Sequence, residues 1–458
     1  MAAHIFESKY FKNNWGTQEM RDIFDDDRKL QYWLDIEVAL ADTQAELGII
    51  PKEAAAAIAE NGKLELLDMD IYRERLAATG HALVPLLHVL ELRCREGLGE
   101  FIHFGATTQD ILDTAQVLVT RDATRVILRD ALRLEKALLG LAEQYQSLPM
   151  AGRTHNQQGL PITLGLKFAN FAAELRRDIE RIKEMPKRCF IIMLHGGAGT
   201  MAGFGEQAYP VIEGVAKRLG LIVPPTCWAN ARDTVAEYLC VLGVLAGSLA
   251  RMANEIVSLS CSEIAELQEP ISKENVGSST MPHKRNANVC EMTVAQARIV
   301  QANVVIGLDS MICEHERDAR IWRLDLHNIP ESSILVGKML AAMITVMEGL
   351  NVQTANIAKN LDLLGGLLLS EAVMFYLGEK LGKQTAHHLL HDITMITPDD
   401  TRTFRQKLLD TPEIRKVLTP EKLEEIMDYS KYLGQSENQV RSTIAFCGEA
   451  AKTDAGAV

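Results

Sequence analysis

The chain has 458 residues, 48 Lys and Arg against 61 Asp and Glu for a formal net charge of −13, and a composition that is 47% hydrophobic but only 5% aromatic. An acidic body cannot supply the phosphate-neutralising affinity on which nucleic-acid binding rests, so nucleic acid is excluded as a partner. The length suggests two to four domains at roughly 150 residues each, unless one long helical body absorbs most of it.

Residues Met1–Tyr10 hold no basic stretch followed by an apolar run, so no signal peptide is read and a cytoplasmic location is expected. The most lipid-like segment, Tyr238–Ala250, is cut off by Arg251 short of the ~20 apolar residues of a membrane span. No membrane association is therefore expected. Eight scattered cysteines (Cys94, Cys189, Cys227, Cys240, Cys261, Cys290, Cys313 and Cys447) form no CxxC pair, which fits neither a disulfide framework nor a zinc ribbon. They read as small apolar residues in a reducing compartment, mostly buried.

Three regions follow in chain order. Residues 1–107 read as a head of shorter helices, with Pro51-Lys-Glu-Ala as a proline-started one. Residues 108–350 read as a body of long helices, because prolines are absent between Pro85 and Pro149, Pro161 and Pro186, Pro225 and Pro270, and Pro282 and Pro330. Within those gaps apolar residues recur at helical spacing, as in Ile111, Leu112, Ala115, Val119 and Ala123. The predicted long helices are Asp110–Leu148, Pro161–Glu184, Thr234–Glu269 and Cys290–Ile312. The third is apolar on nearly all sides over its first half, as a helix buried against several neighbours would be. Such helices pack side by side at shallow angles. Leu221–Val223 is a weak strand candidate. Residues 351–458 form a tail broken into short helices at Pro398-Asp-Asp-Thr, Thr411-Pro-Glu and Thr419-Pro-Glu-Lys. The fold class is all-α, with a central long-helix bundle.

One loop departs from this background: Asn275-Val-Gly-Ser-Ser-Thr-Met-Pro-His-Lys-Arg-Asn286. Its plain reading is a polar turn between two helices. Its density of chemically capable groups argues for more. A serine that abstracts a proton needs backbone N–H groups or a cation beside its alkoxide. Lys284 and Asn286 are spaced to grip a carboxylate whose charge grows as an adjacent C–H ionises.

Gly277-Ser-Ser-Thr-Met-Pro-His-Lys-Arg-Asn286 closely resembles the signature of the fumarase/aspartase superfamily, in its adenylosuccinate lyase and 3-carboxy-cis,cis-muconate cycloisomerase branch. Two further blocks agree in order and spacing, His103-Phe-Gly-Ala-Thr-Thr-Gln-Asp-Ile-Leu-Asp-Thr-Ala115 and Gly152-Arg-Thr-His-Asn-Gln-Gln158. The start (Met20-Arg-Asp-Ile-Phe) and the end (Leu418-Thr-Pro-Glu-Lys) are similar too, so the resemblance covers nearly the whole chain. It implies a fold of three regions that assembles into a homotetramer, with blocks from different subunits in each site. It implies Ser278 as general base, His155 as general acid or as the group orienting the leaving atom, Glu291 as the acidic partner of that histidine, and His81 as a second active-site histidine. Thr107 and Thr108 would hydrogen-bond a carboxylate of the succinyl portion, with Lys284 and Asn286 completing the clamp. Gln157 and Ser279, inside the matched blocks, and Arg317, in His315-Glu-Arg-Asp318, are further substrate-binding candidates. No metal or organic cofactor is implied.

Each assignment has a plainer alternative. His88, His195, His327 and the His387-His388-His391 group read as structural residues, the last able to feign a metal site. Thr107 and Thr108 could serve only as a cap for the helix that follows, a role compatible with holding a carboxylate. Residues 314–318 could be a solvated charge run. Departures from the family pattern also matter. Asn14-Trp15-Gly16 stands where adenylosuccinate lyases usually carry Arg-Tyr for the nucleotide phosphate, and Ala231 replaces a nucleotide-binding glutamine. Carboxymuconate cycloisomerases typically have an aromatic residue where His155 stands. The expectation is a cofactor-independent lyase that eliminates an amine or oxygen from a substituted succinate, a small dicarboxylate, releasing fumarate or a fumarate-like acid. A lactonising cycloisomerase and a non-catalytic structural protein on the same scaffold are the alternatives. Lys284, Arg285 and His155, with Arg153 and Arg317, would make positive pockets on the negative body.

Overall fold

The computed structural model describes residues 4–270, 278–395 and 400–454. Pro398, at one of the expected helix starts of the tail, and Asn275–Gly277 of the signature loop lie outside the described residues. In the head, α1 (Asp26–Glu46) packs against a helix that starts at Lys52 with Pro51 as its cap. The bundle is built from α2 (Thr108–Gln144), α3 (Leu164–Glu184), α4 (Asp233–Leu259), α5 (Asn288–Asp309) and α6 (Ala319–Glu348). Between α2 and α3 lies an antiparallel hairpin of β1 (Pro149–Thr154) and β2 (Gln157–Thr163). A last helix, α7 (Ser436–Ala450), returns from the tail onto α3 and α2.

The sequence accounts for these elements. α2 opens on a capping box: the Thr107 hydroxyl accepts from the Asp110 backbone, and the Asp110 carboxylate accepts from Thr107 N–H at 2.9 Å. Its buried face runs through Ile111, Ala115, Leu118, Leu134, Leu138 and Ala142, the helical spacing read from sequence. α4 and α5 approach closely because glycine faces a bulky side chain in both directions. A Cβ on Gly243 would lie 2.5 Å from Val304, and one on Gly307 2.5 Å from Leu239. One apolar core extends from Met20 in the head to Val440 in α7. A second, from Val373 to Leu423, belongs to the short helices of the tail, where Thr419 caps Pro420–Ile426 as its sequence suggests.

Four readings change. Pro161 does not start a helix but sits in β2, opposite Ala151, and the helix begins at Leu164 behind the Thr163 cap. The third predicted helix stops at Leu259, because Leu267 and Gln268 pair with Val352 and Asn351 in a short ladder. Leu221–Val223 contributes only an isolated bridge, Ile222 to Ile191. α6 contains Pro330, which had read as a boundary. A proline there removes one ladder donor, that to Leu326, and Leu326 is half exposed, so water can take the donor's place. α4 and α6 are each long and apolar enough to cross a membrane, which the Tyr238–Ala250 run had not suggested. Most of their apolar stretch is covered by neighbouring helices instead.

Direction within the bundle follows from the cross-helix bonds. Arg232, just before α4, reaches Asp113 near the start of α2 and Asp325 near the start of α6. Arg133, toward the end of α2, pairs with Glu348 at the end of α6. α2, α4 and α6 therefore run one way. In α3, Arg176 pairs with Glu135 and Lys167 with Glu255, so α3 runs the other way, as does α5, whose Asn303 bonds Glu331.

Candidate active site

The candidate groups fall into two sets at opposite ends of this bundle. At the start of α2, Thr108 Oγ1 lies 3.4 Å from His81 Nε2, and Arg317 Nη1 donates to Thr107 Oγ1 at 3.4 Å. His81, Thr107, Thr108 and Arg317 are thus brought together at the positive end of a 37-residue helix, a place that attracts an anion. The loop behind them is stitched down by Asp110, whose carboxylate also accepts from His195 N–H at 2.8 Å and Gly196 N–H at 3.0 Å. Burial pushes the Asp110 carboxyl up, against the backbone donors that favour its anion. His103, in the same block, is bonded to the buried Glu37 at 2.7 Å. Burial opposes its charged form, but the hydrogen bond and charge of Glu37 outweigh it and raise its pKa. His195 is buried and its pKa is lowered by that burial, as a structural, neutral histidine would be.

At the other end stand the hairpin and the signature loop. His155 and Asn156 are the two residues linking Thr154 to Gln157, with φ of 50° and 63°. Both central residues in the left-handed region make the tight hairpin turn that matches strand twist, and Asn and His tolerate that region better than most side chains. His155 and Gln157 are exposed at this tip. Beneath it, Arg153 forms a bidentate pair with Glu266, at 2.9 and 2.7 Å, and Asn360 Nδ2 donates to the same carboxylate at 2.9 Å. The charge of Arg153 is therefore spent on a fully buried glutamate. Arg153 supports the hairpin and does not add to a positive pocket.

In the signature loop, Ser278 Oγ accepts from Met281 N–H at 3.0 Å and Thr280 N–H at 3.3 Å. Such a pair of donors caps an ordinary serine turn and equally stabilises negative charge on that oxygen. Ser279, Lys284 and Arg285 are exposed and Asn286 is half-buried. Among the described residues, neither Lys284 nor Arg285 has a carboxylate partner within ion-pair distance, in contrast with Arg153. The loop enters α5, whose first turn is held by Glu269 accepting from Val289 and Cys290 N–H. Glu291 lies in that turn, exposed. Among the described residues, His155 and Glu291 share no hydrogen bond or ion pair within one subunit. α4 alone separates the two ends by 27 residues, which at ~1.5 Å each is roughly 40 Å.

Sequence reasoning missed the supports of the site: the hairpin that carries His155, the Asp110 stitch, and the Arg153–Glu266–Asn360 group. For the hairpin a signal was present, His-Asn between two short runs containing Thr, Ile and Met. Asn14 and Trp15 stand on a short helix, with the Asn14 carbonyl accepting from Gln296 of α5. The His387-His388-His391 group is exposed on the helix Lys383–Thr394, and among the described residues these histidines are not gathered into a metal-sized cluster with acidic groups.

Comparisons with known proteins agree with this architecture. Residues 14–302 match the family model described as Lyase, and residues 366–443 the one described as Adenylosuccinate lyase C-terminus. The chain is 39% identical to N-acetyl-S-(2-succino)cysteine lyase of Enterococcus italicus, over 97% of this chain and 98% of that protein. It is 34% identical to adenylosuccinate lyase of Methanocaldococcus jannaschii, over 97% and 96%. The crystal structure of the 3-carboxy-cis,cis-muconate lactonizing enzyme from Pseudomonas putida superposes with a TM-score of 0.90 at 33% identity, covering 97% of this chain and 100% of that one.

Proposed function

The chain belongs to the fumarase/aspartase superfamily of lyases, and from that premise we propose that it catalyses β-elimination from a 2-substituted succinate, releasing fumarate. The observation that carries the reading is the Ser278 hydroxyl, held by two backbone N–H donors in the same loop as Lys284, which has no carboxylate partner among the described residues. Ser278 as alkoxide takes a proton from the methylene next to one carboxylate. The electron pair left on carbon spreads into that carboxylate, where Lys284, Asn286, Thr107 and Thr108 meet the added charge. The pair then forms the C=C bond as the bond from the neighbouring carbon to the substituent breaks, and the substituent takes a proton from His155. Substrate thus becomes fumarate plus the protonated leaving group, with no external oxidant or reductant.

A thioether substituent is the reading we favour. The relative of 39% identity is named for an S-succinyl cysteine derivative, and the Arg-Tyr expected for a nucleotide phosphate is replaced by Asn14-Trp15. A thiol has a pKa near 8.5, so it departs with less help from an acid than an amine needs.

One subunit holds the two halves of the machinery at opposite ends. We therefore assign the active form to a homotetramer in which bundles lie antiparallel and each site combines ends from different subunits. Val305 and Leu308, exposed by 67 and 48% and spaced i, i+3 on α5, give the bundle an apolar edge suited to that contact.

The test is ultraviolet absorbance, reading fumarate release from N-acetyl-S-(2-succino)cysteine and adenylosuccinate, and loss of the diene band for lactonisation of carboxymuconate. Ser278→Ala is expected to lower kcat by about 10²–10⁴ with an unchanged circular dichroism spectrum. His155→Gln is expected to cost less on the thioether than on an N-succinyl amine. Near-normal turnover in Ser278→Ala would remove the mechanism; equal losses for His155→Gln on both substrates would remove the acid role.

A further inference from the structure

Among the described residues, one cluster outside the lyase machinery brings three metal-ligating side chains within 4.8 Å of one another: His4, His327 and Glu331. His327 and Glu331 lie four residues apart on α6 and therefore on one face of it, while His4 comes from the segment before the short helix Ile5–Glu7. His4 Nε2 stands 3.2 Å from Glu331 Oε1, and His327 Nε2 stands 3.5 Å from Glu331 Oε2. Metal–nitrogen and metal–oxygen bonds of ~2.1 Å in a tetrahedral site put neighbouring ligand atoms about 3.4 Å apart. These two separations run to different oxygens of the Glu331 carboxylate, so each histidine already lies at about that distance from the carboxylate. With one ligand atom taken from each residue, all three lie within 4.8 Å of one another, so no edge has to close by more than about 1.4 Å, which rotation of His327, whose side chain is 60% exposed, can supply.

The carboxylate is also oriented from behind. Asn303 Nδ2, on α5, donates to Glu331 Oε2 at 2.8 Å and to Ser332 Oγ at 3.2 Å, the kind of outer contact that fixes a ligating carboxylate. One contact opposes metal binding: His4 Nδ1 accepts from Phe6 N–H at 3.4 Å. When Nε2 takes a metal, the ring proton sits on Nδ1 and this long bond is lost. An ion–ligand bond outweighs a neutral hydrogen bond worth about 1 kcal/mol.

We propose that His4, His327 and Glu331 bind one divalent transition ion, such as Zn²⁺, that clamps the N-terminal segment to the middle of α6. Two imidazoles and one carboxylate suit Zn²⁺, Co²⁺ or Ni²⁺ and disfavour Mg²⁺ and Ca²⁺. The clamp is separate from the elimination chemistry and does not rest on it. It joins Glu331, next to the interrupted ladder at Pro330, to a chain segment otherwise held by few bonds.

The experiment is Co²⁺ titration of tag-free, chelator-stripped, full-length protein, followed by visible absorbance. The expected result is about one Co²⁺ per chain, with d–d bands of low coordination number, no thiolate charge-transfer band, and displacement by Zn²⁺. His4→Ala and His327→Ala, at partly exposed positions that do not threaten the fold, are each expected to weaken binding at least about tenfold. The double variant H387A/H388A is expected to bind as the parent does. Binding unchanged in His4→Ala and His327→Ala, a thiolate band, or no saturable binding at millimolar Co²⁺ would each overturn the proposal.

Discussion

Arg153 and Lys284 carry the same charge and stand at the same end of the bundle, but their surroundings give them different work. Arg153 is locked to Glu266, which is fully buried and takes a further bond from Asn360. Replacing it with methionine strands that carboxylate, and loss of one partner from a buried pair costs about 3–5 kcal/mol. Lys284 is exposed and has no carboxylate partner among the described residues. Lys284→Met is expected to move stability by no more than about 0.5 kcal/mol, as at other surface positions, while lowering kcat/KM on a dicarboxylate by a factor of ten or more. Denaturant midpoints and steady-state kinetics on the two variants separate the roles; a stable Arg153→Met protein would contradict the first. Sequence could tell these cations apart only in part. Lys284 sits in a contiguous motif whose chemistry is local, whereas Glu266 is 113 positions from Arg153 and nothing near either residue announces the pair.

At the scale of elements, long helices were legible because their apolar spacing and proline gaps extend over many turns. α2, α4 and α5 were read to within a few residues at their starts, and α3 to within three. What failed were short elements and boundaries set by tertiary contacts. The end of α4 is fixed by a two-residue ladder with residues 351 and 352, and α6 continues through Pro330 because its neighbours hold it. The hairpin was hidden because Pro161 and the glycines at 152 and 159 interrupt any alternation. Its turn is nevertheless demanding: φ at Asn156 is 63°. A β-branched residue there pays a left-handed strain of about 1–2 kcal/mol, whereas glycine does not. Asn156→Val is therefore expected to lower stability by that amount and to lower kcat through a displaced His155. Asn156→Gly is expected to keep both near the parent values. Equal behaviour of the two variants in thermal unfolding would show that the turn does not constrain the histidine.

For the whole molecule the decisive fact is one of direction. Thr107, Thr108, His81 and Arg317 gather where α2 begins, and Ser278, Lys284 and His155 stand where α5 begins, with the length of α4 between them. No rotation of side chains closes roughly 40 Å, so a site that uses both sets must draw on more than one subunit. Sites shared between subunits are what the resemblance of the motifs implies; the physical reason for it, which end of the bundle each block occupies, is not readable from order along the chain. Such sharing has a consequence for mixed assemblies. Ser278→Ala and Thr108→Ala homo-oligomers are each expected to be nearly inactive. In a hybrid assembled from equal amounts, the Ser278 position of a given site comes from an intact donor half the time, and so does its Thr108 position. For a symmetric homo-oligomer with randomly mixed subunits, about one quarter of the sites are then free of both substitutions, and activity returns to about that fraction of the parent. Sites built within one chain would each carry one of the two lesions, and mixing would restore nothing. Co-expression of differently tagged variants, isolation of the hybrid and a fumarate assay give the two outcomes directly.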